Sequence, residues 1–401
     1  MTLEPAARGA AALRSAAWVV GSAWILSLVG LLAVYAVTAT RAISEGDVFS
    51  SSFINQVVRV VVCSGIVWFV GRLDYRRVAD AAHLIIPAVW LGLLLVFAFG
   101  AQVKGATRWI RIGGMTLQVS ELAKVAVVVA AAQFVSLRST VMTDFRRGFL
   151  PAVAWLGVTV GLVAIEPDFG TSMFLLCLGM LLFFLGGMRL AHMAATGVIV
   201  LPVFFVAMIL AFPHILPRLQ GFGEKDGDTQ VNRALDAIGS GGLSGHGLGV
   251  GSAHLSFVPE VRTDFIFASI AEQGGLVASL LVIGLFATLA WHGMRVARFA
   301  VDDRGYLIAF GVSFMIAFQA AINISVVTAI VPPKGISLPF VSYGGSGLLA
   351  LALGLGLVVS VARVAASESG RLEEPVDEID EGYRNVEGDD EILGSVDIAR
   401  G

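Results

Sequence analysis

The residues best suited to chemistry in this chain are carboxylates and cations set at the edges of long apolar runs. Glu260, Arg262 and Asp264 lie in a polar stretch that leads directly into an apolar segment carrying a further acid, Glu272. Charges near the centre of a bilayer cost on the order of 2.5–3.5 kcal/mol each, so a membrane chain that keeps them is expected to use them. A carboxylate at Asp264, held at a membrane–water boundary, is suited to acid–base work on a lipid-borne substrate. The competing reading is a helix cap, because Thr263 and Asp264 are both good N-cap types. A cap needs only one such residue and leaves Glu260 and Arg262 unexplained. Asp264, Ala268 and Glu272 fall at i, i+4 and i+8, which places Glu272 about 12 Å deeper on the same face.

Other polar side chains recur at comparable positions. Ser120-Glu-Leu-Ala-Lys124 opens an apolar run, and Glu121 with Lys124 forms an i, i+3 pair that must face a bundle interior or a wet cavity, either to fix packing or to meet a ligand. Arg108 precedes that run and matches phosphate oxygens in pairs, while its neighbour Trp109 reads as an interfacial anchor. Gln319 and Asn323 share a helix face and suggest a polar groove. Lys334 is followed by Ser337, Ser342, Tyr343 and Ser346, a rim suited to hydroxyl-rich ligands. The six histidines are scattered without metal-binding spacing.

These residues need a scaffold, and composition names its class. The chain has 401 residues, 57% hydrophobic and 14% charged, with a mean hydropathy of +0.84. Soluble domains carry roughly 25% charged residues, so lipid is the main solvent here. The expectation is an all-α polytopic membrane protein with about ten transmembrane helices and a large extracytoplasmic loop between helices 7 and 8. Candidate spans lie near 17–39, 54–71, 81–100, 119–136, 149–165, 170–187, 190–211, 264–291, 305–330 and 343–364. A membrane domain over 17–365 then follows a short segment, 1–16, and precedes an acidic tail, 366–401. Arginines at 72, 76, 77, 138, 146, 147, 189, 295, 298 and 304 all fall on one side if ten spans alternate, which makes that side, and both termini, cytoplasmic.

The connections on the other side differ in kind. They hold Lys104 to Arg111, Glu166-Pro-Asp-Phe-Gly170, the long 213–263 stretch and Pro332 to Pro339. Lysine and arginine there point to an anionic ligand outside, or to pairing with Glu166, Asp168, Glu260 and Asp264. Within 213–263, Val231, Leu235 and Ile238 have helical spacing and read as a short amphipathic helix on the membrane surface. The glycine-rich run from Gly239 to Gly251 permits close backbone approach to a ligand, although flexible linkers look similar. From Ser367 to Gly401 there are twelve acids and three bases, a net −9 that leaves +6 on the rest; this end is expected to be disordered and aqueous.

The motifs, in order, resemble those of the FtsW/RodA family of shape, elongation, division and sporulation (SEDS) proteins. They are Gly105 to Gly113, Gln118-Val-Ser-Glu-Leu-Ala-Lys124, Glu166-Pro-Asp-Phe-Gly-Thr171, Ala237 to Leu243, Pro259 to Glu272, and Pro333 to Ser346. The resemblance implies a peptidoglycan glycosyltransferase of the bacterial inner membrane that joins lipid II, a disaccharide-peptide on a polyprenyl diphosphate, into glycan strands. It puts the essential aspartate at Asp264 and the substrate-binding positions at Arg108, Trp109, Glu121, Lys124, Arg262, Lys334 and Ser342. A divalent cation, Mg or Mn, is an option at Asp264. The implied partners are a class B penicillin-binding transpeptidase and other divisome or elongation-complex membrane proteins, with no nucleic acid. Lys334 and Gly247-Leu-Gly249 lean toward the division-type members. Arg262 stands where the family usually has histidine, Gln273 where it has a second glutamate, and Gly347 where it has serine. Two readings stay open beside the enzyme: a lipid II flippase and a non-catalytic divisome scaffold.

Overall fold

The computed structural model describes residues 5–44, 49–103, 106–112, 115–211, 230–248, 260–332 and 335–371. Lys334, much of the 213–263 stretch and the acidic segment beyond 371 lie outside the described residues. Helices α1 (Pro5–Ser44), α2 (Ser51–Arg72), α3 (Tyr75–Asp80) and α4 (Ala82–Phe99) lead to strands β1 (Ala101–Val103), β2 (Ala106–Ile112) and β3 (Met115–Leu117). Then come α5 (Val119–Arg138), α6 (Leu150–Ile165), α7 (Phe169–Leu185), α8 (Leu190–Ala211) and α9 (Gln230–Ser240), followed by α10 (Ile266–Phe299), α11 (Asp303–Val327) and α12 (Gly345–Arg371). Eight of these helices are long and apolar enough to cross a membrane; with α7 and α8 the apolar helices among the described residues number ten. The chain is a polytopic, helical membrane protein.

Burial sorts the helices. α5 and α12 are central, with 72% and 78% of their most apolar window buried, whereas α2 and α4 form the rim at 17% and 22%. The sequences explain this: α5 reads Val-Ala-Val-Val-Val-Ala-Ala-Ala and α12 alternates leucine with alanine and glycine. Small residues let helices approach closely where lipid gives no hydrophobic drive for association. α1 begins at Pro5, well before the apolar run at 17, because the alanine-rich stretch between them is a strong helix former.

The arginine-bearing helix ends meet at one end of the bundle. Asp302 accepts from the Gly305 amide (2.8 Å), the Tyr75 hydroxyl (2.9 Å) and Arg76 Nε (3.0 Å), and Arg76 also reaches Glu368 at 2.6 Å. Burial raises the Asp302 carboxyl, but these bonds outweigh it and hold the group below the usual carboxylate range. Arg304 bonds Asp80 (2.8 Å) and Ser136 (3.0 Å), which ties α11 to α3 and α5.

The opposite end carries a feature that the all-α expectation lacked. β1, β2 and β3 form a small antiparallel sheet, with Trp109 opposite Ala101 and Arg111 opposite Thr116. The signal was present in Ala106-Thr-Arg-Trp-Ile-Arg-Ile112, whose Thr, Trp and two Ile favour strand, and which is flanked in sequence by Lys104-Gly105 and Gly113-Gly114, two-residue hairpin separators.

The glycine-rich stretch is built into the bundle. α10 is broken at Gly275 (φ 65°, ψ −162°), and residues 242–247 bond across the break. Gly247 N donates to Gln273 O (3.0 Å), His246 N to Glu272 O (3.1 Å) and Leu276 N to Gly242 O (2.9 Å). The close backbone approach expected of these glycines is therefore to the chain's own helix. α9 lies on α10 through buried Ala234 and Ala237; Val231 and Ile238 pack on the core, while Leu235 is exposed. A Cβ on Gly275 would come within 2.5 Å of Gly245 N and Leu243 O, and its φ disfavours any L side chain. Gly275→Ala is therefore expected to destabilise the protein by about 2 kcal/mol or more, read as a lower thermal midpoint by circular dichroism in detergent.

Candidate active site

Two irregular segments, 260–265 and 335–344, meet beside α11 at the end opposite the arginine belt. Glu260 adopts a positive φ of 68°, and its carbonyl accepts the amides of Thr263 (3.0 Å), Asp264 (3.1 Å) and Phe265 (3.3 Å). The Thr263 hydroxyl bonds the Glu260 carboxylate at 2.8 Å. The chain thus makes a tight turn before α10 starts at Ile266, and its N-cap, Phe265, supplies no side-chain cap bond. This corrects the cap reading: Thr263 is committed to Glu260 and the helix begins two residues beyond Asp264.

Asp264 is half-buried, and backbone contacts fix its place. Asn323 Nδ2 donates to the carbonyls of Asp264 and Ile336, each at 2.8 Å. A Cβ at Gly335 would lie 3.2 Å from Asp264 Oδ2, so the carboxylate rests against the backbone at 335. Ser342 joins the same two segments: its hydroxyl donates to Thr263 O (2.5 Å) and accepts from Leu338 N (2.8 Å). Tyr343 N donates to Arg262 O at 2.8 Å. Arg262 is exposed and bonds Ser52 at the start of α2 (2.9 Å). Its guanidinium carbon lies 5.9 Å from the Tyr343 ring centre, and that of Arg59, from α2, lies 4.6 Å away.

The α5 pair faces inward as required. Lys124 Nζ contacts both Glu121 oxygens (2.9 and 2.8 Å) and Gln319 Oε1 (2.8 Å), with side chains 5% and 14% exposed for Lys124 and Glu121. Gln319 Nε2 continues to Ser337 O at 3.0 Å, so α5, α11 and the 335–344 segment form one bonded chain. Gln319 and Asn323, which share this face of α11, both spend their amides on backbone carbonyls. On its flank, Gln118 N donates to Ser346 Oγ (2.8 Å), Ser346 donates to Thr116 O (3.0 Å), and Gln118 Nε2 bonds Asp168 (3.1 Å). Arg108, on β2, donates to the carbonyls of Glu166 (3.0 Å) and Pro167.

A family model described as cell cycle protein, FtsW/RodA/SpoVE, matches residues 16–367. The chain belongs to this family. It is 35% identical over 303 residues to stage V sporulation protein E of Bacillus subtilis (strain 168), covering 74% of this chain and 82% of that protein. It is 33% identical over 321 residues to the probable peptidoglycan glycosyltransferase FtsW of Coxiella burnetii, covering 77% and 86%. Among solved structures, a chain of a peptidoglycan synthase complex aligns with a TM-score of 0.72 at 23% identity, covering 86% of this chain and 97% of that one. The rod shape determining protein RodA of Thermus thermophilus aligns at 0.63 and 24%, covering 86% and 95%. These two likenesses concern the fold.

In this FtsW/RodA/SpoVE chain, one bonded assembly holds Asp264, Ser342, Glu121 and Lys124, and the backbone of Arg262. Arg108 and half-buried Trp109 sit on β2, with Arg108 anchored to the α6–α7 connection. Lys334 lies outside the described residues. Glu272 is buried at 1% exposure, as its place along α10 suggested. The sequence reading missed Gln56 and Arg59. Gln56 Nε2 reaches Ser342 O (3.3 Å) and Arg59 reaches Gln56 Oε1 (3.5 Å). The available signal was two polar residues inside the 54–71 apolar run.

Glu166 stands apart. It is 2% exposed, and neither carboxylate oxygen has a hydrogen-bond partner among the described residues. Burial, helped by the Asp168 charge and opposed by Arg108, pushes its carboxyl up to about 8. The unfolded chain ionises this group near 4.5, so its stabilising contribution is full below that pH and is lost as pH rises toward 8. Glu166→Gln is expected to remove this slope, at most about 1.4 kcal/mol per pH unit, in denaturation midpoints followed from pH 5 to 8. Lys124→Ala strands Glu121 and is expected to cost about 3–5 kcal/mol, whereas the Glu121→Ala/Lys124→Ala double variant should recover part of that loss in the same unfolding measurement.

Proposed function

We propose that this chain polymerises lipid II into glycan strands, with Asp264 as general base. The observation that carries this reading is the placement of Asp264. Its backbone is fixed by Asn323 and its carboxylate lies against residue 335, where the two irregular segments meet. Relatives named as probable peptidoglycan glycosyltransferases support the reaction class.

Asp264 accepts the proton of the acceptor sugar hydroxyl as that oxygen attacks the anomeric carbon of the donor. The bond from that carbon to the diphosphate breaks, and the diphosphate leaves with the electron pair on its polyprenyl carrier. Positioned proton acceptors contribute typically about 10²–10⁴-fold. Cations assigned to the developing diphosphate charge are Arg262 with Arg59, Arg108 and Lys334, while Lys124, its donors taken by Glu121 and Gln319, is assigned to the shape of the site. Trp109, Glu121 and Ser342 are assigned to holding the substrate and the shape of its site. Among the described residues no group of three His, Cys, Asp or Glu converges to hold a metal, so no step is routed through one.

The arginine-rich end is placed in the cytoplasm and the Asp264 end outside, following the bias of basic residues. On that reading the membrane domain spans 17–365, flanked by cytoplasmic segments 1–16 and 366–401, in a bacterial inner membrane. The fold shared with a chain of a peptidoglycan synthase complex supports a penicillin-binding transpeptidase as partner. Transport of lipid II without bond formation draws on the break in α10, since broken helices suit transporters. That break is closed by backbone bonds from 242–247, which favours the enzyme.

The test is glycan polymerisation by purified protein with lipid II and the transpeptidase. Asp264→Ala is expected to lower polymer yield by about 10²-fold or more at an unchanged unfolding midpoint. Wild-type yield from this variant would overturn the assignment.

A further inference from the structure

A cavity of about 510 Å³ at the arginine-rich end is lined by Arg72 and Leu73 at the end of α2, by Asp74 and Arg77 around α3, and by Arg363 on α12. Among the described residues none of these three arginines forms an ion pair, unlike neighbouring Arg76, which meets both Asp302 and Glu368. Asp74, the acid lining the cavity, is engaged as the α3 cap through the Arg76 amide at 2.9 Å. Arg363 donates to the carbonyls of Arg72 and Leu73 (3.4 Å to the latter), which fixes one guanidinium at the mouth. Arg72 stacks on Trp68, its guanidinium carbon 3.7 Å from the ring centre, and Trp68 is 59% exposed on the rim of the bundle. A lipid-facing tryptophan with an arginine directly over it marks the height of a membrane interface. The cavity therefore opens at the level of phospholipid headgroups.

We propose that this cavity binds the phosphodiester headgroup of an anionic phospholipid. The chemistry is specific: guanidinium forks match phosphate oxygens in pairs and are weakly hydrated. Three exposed arginines converge from three separate helical elements, and basic pockets between membrane helices on the cytoplasmic side suit such lipids. The site is distinct from the Asp264 assembly and lies at the other end of the bundle. Its assignment to the inner leaflet rests on the orientation proposed above.

The test uses the full chain in nanodiscs of phosphatidylcholine with a minor fraction of phosphatidylglycerol, released into native mass spectrometry. Wild-type protein is expected to retain phosphatidylglycerol over phosphatidylcholine. Retention should fall at least about tenfold in the Arg72→Gln/Arg77→Gln/Arg363→Gln variant, since each basic residue near a leaflet contributes roughly a factor of five. The single variant Arg298→Gln controls for diffuse charge at the same end. Equal retention by wild type and the triple variant, or an equal loss in Arg298→Gln, overturns the proposal. So does displacement of the lipid by millimolar inorganic phosphate, which assigns the site to a free anion. If unchanged lipid retention in the triple variant comes with new tryptic cleavage at Arg384, the arginines are assigned to the chain's own acidic segment and the proposal is likewise overturned. Lysine at the same three positions keeps the charge but not the guanidinium fork, so its retention should fall between wild type and the glutamine variant, which separates loss of the site from loss of the fold. Glycan polymerisation in the same samples reports on Asp264 independently, so either reading can fail alone.

Discussion

One buried carboxamide organises the Asp264 end of this protein. Asn323, 1% exposed, donates both Nδ2 hydrogens to backbone carbonyls, one at Asp264 and one at Ile336. Within a lipid-solvated bundle no bulk water competes for those carbonyls, and an orphaned one costs several kcal/mol. Irregular backbone is tolerated at such depth only where protein satisfies it. Gln319, one helical turn earlier on α11, does the same for Ser337 O. A single face of one helix thus makes both the 260–265 turn and the 335–344 segment stable, and it sets how far apart they lie.

The same face also decides which charges survive burial. Lys124 has three donors, and the Glu121 carboxylate and the Gln319 oxygen receive them within 2.9 Å. Gln319 therefore joins an ion pair on α5 to a loop backbone, and the pair cannot shift without disturbing the segment that supports Asp264. Glu166 shows the opposite outcome a short distance along the chain. Its cationic neighbour Arg108 bonds the carbonyls of Glu166 and Pro167, and the Glu166 carboxyl, without a hydrogen-bond partner among the described residues, is pushed up by burial. Burial is what raises the Glu166 carboxyl, and the Arg108 charge opposes it only in part, its guanidinium being bonded to carbonyls.

Much of this was legible from the residues, for a physical reason. Lipid demands long apolar runs, so ten helices could be read from composition, and the rarity of charge inside them singled out Glu121, Lys124 and Glu272. Arg59 obeys the same rule inside the 54–71 run. What could not be read were contacts made by backbone atoms. Nothing in the sequence says that Ser342 Oγ will meet Thr263 O across 79 positions, or that Gly247 will donate to Gln273. The turn at Glu260 also hid from propensity, since a left-handed glutamate is held there by three amides rather than by its own preference. The start of α10 moved from 264 to 266 for that reason, and this shift separates Asp264 from the helix cap.

The break at Gly275 completes the argument about position. At 1.5 Å per residue, a straight helix of the length of α10 would run about 51 Å, well beyond a hydrocarbon core of roughly 30 Å. Residues 265–273 are buried on every side, whereas Leu276, Val277, Leu280 and Leu281 beyond the break are exposed as a lipid-facing surface must be. No uninterrupted helix could serve both environments at these two angles. A glycine with φ 65° lets the first two turns leave the lipid-facing axis and pack among α9, α11 and the 242–247 segment, whose amides take up the carbonyls that the break exposes. The carboxylate at Asp264 is thereby kept against the 335–344 segment that Gln319 ties to the α5 ion pair, instead of being carried away on the end of an over-long helix.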